Sequence, residues 1–230
     1  MCRARMAAAT IAILASLALA GRAPAQAAGP EDSVSTLHEI LISTMKDGRT
    51  LGESGRYARI EPVIHQLFDL PFMSRLAIGA SWTTLSAAQQ KLAIAAFGAY
   101  ISATYADRFD SYSGQRMEVV AQQPSSSGII IKTRIVKSNG EPVSVDYAMR
   151  QNDGAWQISD VYLDGTISQL ATQRSEFGAI LRREGFDGLI VALQRKVKLL
   201  AGSVPHASCQ VTALRPIMRS DRADKRHHCR

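Results

Sequence analysis

The chain has 230 residues, of which 27 are lysine or arginine and 20 are aspartate or glutamate. Three arginines and no acid lie in residues 1–27, and six basic and two acidic residues lie in residues 203–230, which leaves 18 basic and 18 acidic residues in the central region. Because the central region is neutral, the positive charge of the whole chain gives no indication of a nucleic-acid-binding fold.

The first 27 residues have the order of a secretory signal peptide. A basic start, MCRARM, precedes an apolar run of 14 residues, AAATIAILASLALA, and the small-residue sequence Ala25-Gln26-Ala27. The run is too short to span a bilayer, so we expect cleavage at residues 27–28, with an uncleaved anchor as the alternative.

The last segment, residues 203–230, is rich in proline, serine and charge and has no lasting periodicity. This composition predicts a basic, disordered tail. All three cysteines fall in the two end segments, so the central domain, predicted to be residues 28–202, does not depend on disulfides.

The first part of the central domain has helical periodicity. Apolar residues at helical spacing predict helices over residues 31–45 and 56–67. Asp69, with Pro71 two positions later, is a helix-start signal for the next segment. Ser86 begins an S-x-x-Q capping box, and the pattern predicts a long helix from there to about residue 112.

The hydrophobic period then changes from 3.6 to 2, which indicates strands. The dipeptides Asn139-Gly140 and Asp153-Gly154 are hairpin signals and predict an antiparallel arrangement. Two further helices follow, over about 166–183 and 187–201, separated by Gly185. The strand candidates are residues 117–122, 128–136, 141–150 and 155–163.

The fold class predicted from these elements is α+β, with a four-stranded antiparallel sheet whose apolar face is covered by helices. In the third strand, Val143, Val145, Tyr147 and Met149 face one side, and Ser144, Asp146 and Arg150 face the other. A curved sheet of this kind can enclose an apolar cavity.

Motifs for catalysis or metal binding are missing from the central sequence, so no cofactor and no metal are expected. His38 and His65 lie in helical stretches, where a surface position or a satisfied helix position is expected. Asp160 and Asp164, four residues apart at a strand end, suggest an acid/base pair. The alternative is that Asp164 belongs to a turn and that Asp160 pairs with an arginine.

Apolar side chains are numerous in the central region, and each is a candidate either for the core or for the wall of a pocket. Sequence alone does not separate these two roles. The candidates for a pocket wall are Phe72, Met73, Leu76, Phe97, Ile101, Tyr105, Phe109, Ile131, Val145, Tyr147, Met149 and Ile158.

Five segments in this order resemble the MlaC family, also called the toluene-tolerance family, of periplasmic phospholipid-binding proteins. The sequence LATQRSEF at 170–177 is most similar to the hopanoid-associated HpnM branch. The segments are FDLPFMSRLAIGASW (68–82), TYADRFDSYSGQ (104–115), GEPVSVDYAMR (140–150), WQISDVYLDGTIS (156–168) and QRSEFGAILRREGFDGLIVALQRK (173–196).

The resemblance implies a sheet of the nuclear-transport-factor type, a helical subdomain and a pocket for lipid tails between them. It implies a monomeric, non-enzymatic carrier in the periplasm, with phospholipid or hopanoid as its ligand and no nucleic-acid partner. The implied protein partners are the substrate-binding subunit of an inner-membrane ABC transporter and an outer-membrane lipoprotein/porin complex.

Four arginines, Arg75, Arg174, Arg182 and Arg183, are candidates to meet a lipid phosphate at the pocket mouth or acidic patches on those partners. Ordinary surface ion pairs are the alternative for them. Two other functions stay open at this point: an enzyme that uses Asp160 or Asp164, and a non-catalytic adaptor that joins complexes of the cell envelope.

Overall fold

The structure of the protein, a computed structural model, describes residues 29–202. The predicted signal peptide and the predicted tail lie outside these residues. Helices and strands follow in the order α1 (Pro30–Lys46), α2 (Gly48–Leu67), α3 (Leu70–Ile78), α4 (Ala87–Arg108), β1 (Arg116–Ser125), β2 (Gly128–Val136), β3 (Pro142–Asn152), β4 (Ala155–Leu163), β5 (Ile167–Ser168) and α5 (Gln169–Ala201). The α+β class is confirmed.

The starts of α3 and α4 lie at the predicted positions, whereas α2 begins at Gly48 and not at residue 56, with a kink at Gly52, whose φ is 60°. The Asp69 carboxylate accepts a hydrogen bond from the Phe72 backbone N–H at the start of α3. Ser86 and Gln89 form a reciprocal capping box at the start of α4, which ends at Arg108 and is therefore shorter than predicted. Gly185, with φ of 69° and ψ of −170°, has a non-helical backbone and divides α5 into two helical segments, as predicted.

The sheet has five strands in the order β1-β2-β3-β4-β5, all antiparallel. The prediction of four strands is therefore wrong by one short strand. Asp164 and Gly165 adopt positive φ angles of 50° and 71° and turn the chain back along β4, where Ile167 and Ser168 pair with Leu163 and Tyr162. Because these residues form β5, α5 begins at Gln169 and not at residue 166.

One face of the sheet packs against the helices and forms the core. Ile131, Tyr147, Met149 and Ile158 on this face are at most 1% exposed. The opposite face is more polar, but Asp146 on it is only 3% exposed. Hydrogen bonds from Lys132 Nζ and the Thr133 backbone N–H to its carboxylate offset the cost of this burial.

The connection between α2 and α3 attaches the helices to the sheet. Phe68 forms an isolated parallel bridge with Ile158, and the Asp69 backbone N–H donates to the Ile158 carbonyl oxygen at 2.9 Å. The segment FDLPF therefore fixes the position of α3 relative to β4.

Arg56 is a buried cation on α2, at 9% exposure. Its Nε donates to the Ala106 carbonyl oxygen at 2.8 Å and its Nη1 to the Gly48 carbonyl oxygen at 3.3 Å. Ala106 lies in the last turn of α4, where the partial negative charge of the helix terminus stabilises a guanidinium. This contact joins α2 to α4. None of the helices within residues 29–202 is both long and apolar enough to cross a membrane.

Candidate functional site

The predicted pocket residues all belong to one apolar cluster between the sheet and the helices. Phe72, Leu76, Tyr105 and Phe109 are partly buried at its margin. The buried members are Met73 on α3, Phe97 and Ile101 on α4, Ile131 on β2, Val145, Tyr147 and Met149 on β3, and Ile158 on β4. The structure thus brings the whole predicted set together, and its lipid-binding role stays a prediction.

Aromatic rings connect the helices within this cluster. The Phe68 ring meets the Tyr105 ring edge to face at a centroid distance of 5.7 Å, and the Tyr105 ring stacks on Phe109 at 5.6 Å. The Phe97 ring meets the Phe177 ring edge to face at 6.0 Å. Phe177 was absent from the predicted set, although its spacing of seven residues from Leu170, also buried on α5, is a helical signal.

His38 is the clearest departure from the sequence prediction. It was expected at the surface or in a satisfied helix position, but it is 6% exposed and lies on the buried face of α1. Its ring centroid is 5.7 Å from that of Tyr147. Burial lowers the pKa of His38 to about 4, so the imidazole is neutral at pH 7. The apolar residues Val34 and Leu41 lie one turn before and after His38 on α1. Their spacing is the sequence signal that could have predicted the burial of His38.

Tyr105 and Tyr147 place two phenol groups in the same part of the cluster. Burial is the main cause that raises the pKa of each tyrosine above its ordinary value, and the phenols lie close enough for each to affect the pKa of the other. Both hydroxyl groups are therefore protonated at pH 7.

A second group of polar contacts lies where α3 meets β3. The Asp69 side chain is 2% exposed and accepts a hydrogen bond from Arg150 Nη1 at 2.5 Å. The Arg150 guanidinium lies 4.3 Å from the Phe72 ring centroid, and the Arg75 guanidinium lies 5.7 Å from the same centroid. Arg150 was predicted on the face of β3 away from the core, and its pairing with Asp69 was not predicted.

Comparison with known proteins decides the family. The family described as "MlaC protein" matches residues 35–195, which include most of the apolar cluster and the α3–β3 contacts. The chain belongs to the MlaC family.

Two known proteins, one compared by sequence and one by structure, are similar to this chain. The "intermembrane phospholipid transport system binding protein MlaC" of Haemophilus influenzae is 25% identical over 132 residues, which are 55% of this chain and 61% of that protein. The chain thus matches less than two thirds of that relative's length. A solved structure of a phospholipid-binding protein from Ralstonia solanacearum, in complex with a phospholipid, superposes with a TM-score of 0.66 at 21% identity. The superposition covers 76% of this chain and 99% of the Ralstonia chain, and it shows that the two chains share a fold.

The predicted head-group arginines of this MlaC family member lie on α3 and α5. Arg75 is exposed on α3. Arg174 is exposed on α5 and lies close to Gly79: a Cβ atom added to Gly79 would be 3.4 Å from Arg174 Nε. Arg182 is exposed farther along α5, and Arg183 pairs with the neighbouring Glu184 at 2.6 Å. Within residues 29–202, Arg75, Arg174 and Arg182 form no ion pair.

The carboxylates proposed for catalysis have structural contacts. Asp160 accepts hydrogen bonds from the backbone N–H groups of Val161 and Leu170 and from the Ser168 hydroxyl at 2.6 Å. These bonds hold β5 and the start of α5 against β4. Asp164 lies in the turn between β4 and β5, with φ of 50°. The part of the chain that the structure describes contains no group of three or more metal-ligating side chains.

Proposed function

We propose that the protein is a lipid carrier, which holds the apolar tails of a phospholipid between its sheet and its helices and moves the lipid between two membranes. The observation that carries the proposal is the MlaC match over residues 35–195, which contains most of the apolar cluster between sheet and helices. The names of the Haemophilus and Ralstonia proteins support a phospholipid as the ligand.

The physical need for a carrier follows from the hydrophobic effect. Each methylene group left in water costs about 0.8 kcal/mol, so one acyl chain of about sixteen carbons costs on the order of 12 kcal/mol. A lipid crosses an aqueous compartment only slowly unless its tails are covered. The head group is stable in water, so the protein needs to enclose little more than the tails.

The compartment and the partners belong to the same proposal. The predicted signal peptide supports the periplasm as the place of action. The proposed partners are the substrate-binding subunit of an inner-membrane ABC transporter and an outer-membrane lipoprotein/porin complex, served by a monomeric carrier. A hopanoid is the alternative ligand, suggested only by the resemblance of residues 170–177 to the HpnM branch.

Catalysis by Asp160 is not favoured, because three hydrogen bonds from the protein already occupy its carboxylate. An adaptor without cargo is a different alternative, since it needs the fold but no space for a lipid. Filling the predicted pocket separates a carrier from an adaptor.

Replacing Val145 by tryptophan should reduce phospholipid transfer at least tenfold. Val145 is 7% exposed and lies on the core face of β3, so an indole there takes space that the proposal assigns to lipid tails and costs about 1–3 kcal/mol of stability through overpacking. Transfer is measured with a fluorescent phospholipid moving between donor and acceptor vesicles.

Val120→Trp is the matched control, because Val120 is 56% exposed on β1 of the same sheet. Circular dichroism verifies that both variants are folded. If folded Val145→Trp transfers lipid as fast as the Val120→Trp control, the cluster is not the lipid site and the adaptor is favoured.

We further infer that Arg75 and Arg174 contact an anionic group, either the lipid phosphate or an acidic surface of a partner. Both are exposed and form no ion pair within the described residues. The double variant Arg75→Ala/Arg174→Ala should slow transfer between anionic vesicles about threefold to tenfold, the size expected for charge-assisted contacts. Arg116→Ala, at the exposed start of β1, is the control. Transfer equal to that of the control would remove this role.

A further inference from the structure

His38 is costly to the folded protein in its present surroundings. Its Nε2 atom is shielded from solvent and has no hydrogen-bond partner within residues 29–202. A buried polar atom without a partner costs about 1–3 kcal/mol, so an apolar side chain of similar size would give a more stable α1. The other such atoms in the described residues are Thr44 Oγ1, Ser74 Oγ and Gln173 Oε1.

The surroundings of His38 include two tyrosine side chains. Its ring packs at 5.7 Å, tilted by 59°, against Tyr147, whose phenol lies near that of Tyr105. Three elements, α1, α4 and β3, thus bring polar atoms into one part of an otherwise apolar cluster. This part belongs to the proposed lipid site, because Tyr105 and Tyr147 are among its predicted wall residues.

The three side chains are uncharged at pH 7. Burial lowers the pKa of His38 to about 4 and raises those of both tyrosines. A buried phosphate would need a cation or several strong donors beside it. A neutral imidazole has one N–H donor and one acceptor nitrogen. In the tautomer that carries the proton on Nε2, an uncharged oxygen that accepts one hydrogen bond is the matching ligand group.

We propose that His38 Nε2, with Tyr147 beside it, donates a hydrogen bond to an uncharged oxygen of the bound lipid, the carbonyl oxygen of an acyl ester. The inference rests on the proposed carrier function and adds a chemical preference to it. An acyl ester lies where the apolar tails join the head group, so the tails occupy the apolar cluster and the phosphate stays outside. The bond satisfies Nε2 when lipid is bound, which explains a histidine on this face of α1.

The test compares two lipids that differ only in the carbonyl groups: dipalmitoyl phosphatidylglycerol and its dihexadecyl ether analogue. Each competes with a fluorescent phospholipid for the full chain. The wild type should prefer the ester about threefold to tenfold, as expected for one buried hydrogen bond. His38→Met should abolish the preference. Thr44→Val is the control: it also removes an unpartnered buried polar atom from α1, and this variant should keep the ester preference.

Tyr147→Phe removes a single hydroxyl group and should reduce the ester preference as well, which tests the site even if His38→Met does not fold. Equal binding of ester and ether by the wild type overturns the inference and leaves the carrier function standing. An undiminished ester preference in folded His38→Met also overturns the inference. If His38→Met does not fold, an undiminished ester preference in Tyr147→Phe overturns it instead. A wild type that binds neither lipid contradicts the carrier function itself.

Discussion

Replacing Arg150 by methionine should lower the free energy of unfolding by roughly 2–4 kcal/mol, because the Asp69 carboxylate would then be buried without its cation. The Asp69 side chain is 2% exposed, whereas that of Arg150 is 35% exposed. The expected loss of stability is therefore smaller than for a pair in which both side chains are fully buried. The contact of the guanidinium with the Phe72 ring at 4.3 Å is lost as well. Urea unfolding followed by circular dichroism measures the change.

Arg134→Met is the matched control on the neighbouring strand. Arg134 pairs with Glu118 at 2.7 Å, but the side chains are 51% and 32% exposed, so the loss should stay below about 1 kcal/mol. The double variant Asp69→Asn/Arg150→Met keeps a capping side chain and should be more stable than Arg150→Met alone. Equal losses for Arg150→Met and Arg134→Met would show that the Asp69 pair does not hold α3 on the sheet.

Replacing Gly128 by alanine should cost about 3–5 kcal/mol, from backbone strain and a steric clash together. Gly128 begins β2 with φ of 146°, a conformation that favours glycine. A Cβ atom there would lie 2.1 Å from the Met149 carbonyl oxygen, which is backbone of the adjacent strand. The two strands must therefore separate at the edge of the apolar cluster, and the midpoint of urea unfolding should fall sharply.

Gly140→Ala separates the two contributions. Gly140, in the β2–β3 hairpin, also has positive φ, at 86°, but no atom lies within 4 Å of an added Cβ. Its substitution should cost only about 1 kcal/mol, from the backbone conformation alone. A Gly128→Ala variant as stable as Gly140→Ala would mean that β2 and β3 do not approach as closely as the structure shows.

The sequence predicted the elements that local rules determine. Asp69 and Ser86 are helix-start residues with specific hydrogen-bond partners, and Gly185 breaks a helix through its own backbone angle. The change of hydrophobic period placed four strands correctly, because each is at least nine residues long. β5 has two residues and is too short for any period to be visible.

Contacts between distant residues were not predictable in the same way. Asp69 and Arg150 are 81 positions apart, and no local pattern indicates which of many arginines meets a given aspartate. The burial of His38 had a local signal in Val34 and Leu41, yet the composition of a helix face does not show whether a polar member finds a partner. The apolar candidates lie together in one cluster because burial follows periodicity. Their role as a pocket wall depends on space that periodicity does not define, and it stays a prediction.

Native mass spectrometry of the full chain purified from cells tests the central claim most directly, because it detects bound lipid and identifies it by mass. The carrier account predicts a protein with noncovalently bound lipid, a phospholipid first of all, and loss of that lipid in the Val145→Trp variant but not in Val120→Trp. A protein that carries no lipid, and takes up neither phospholipid nor hopanoid from vesicles, would contradict it.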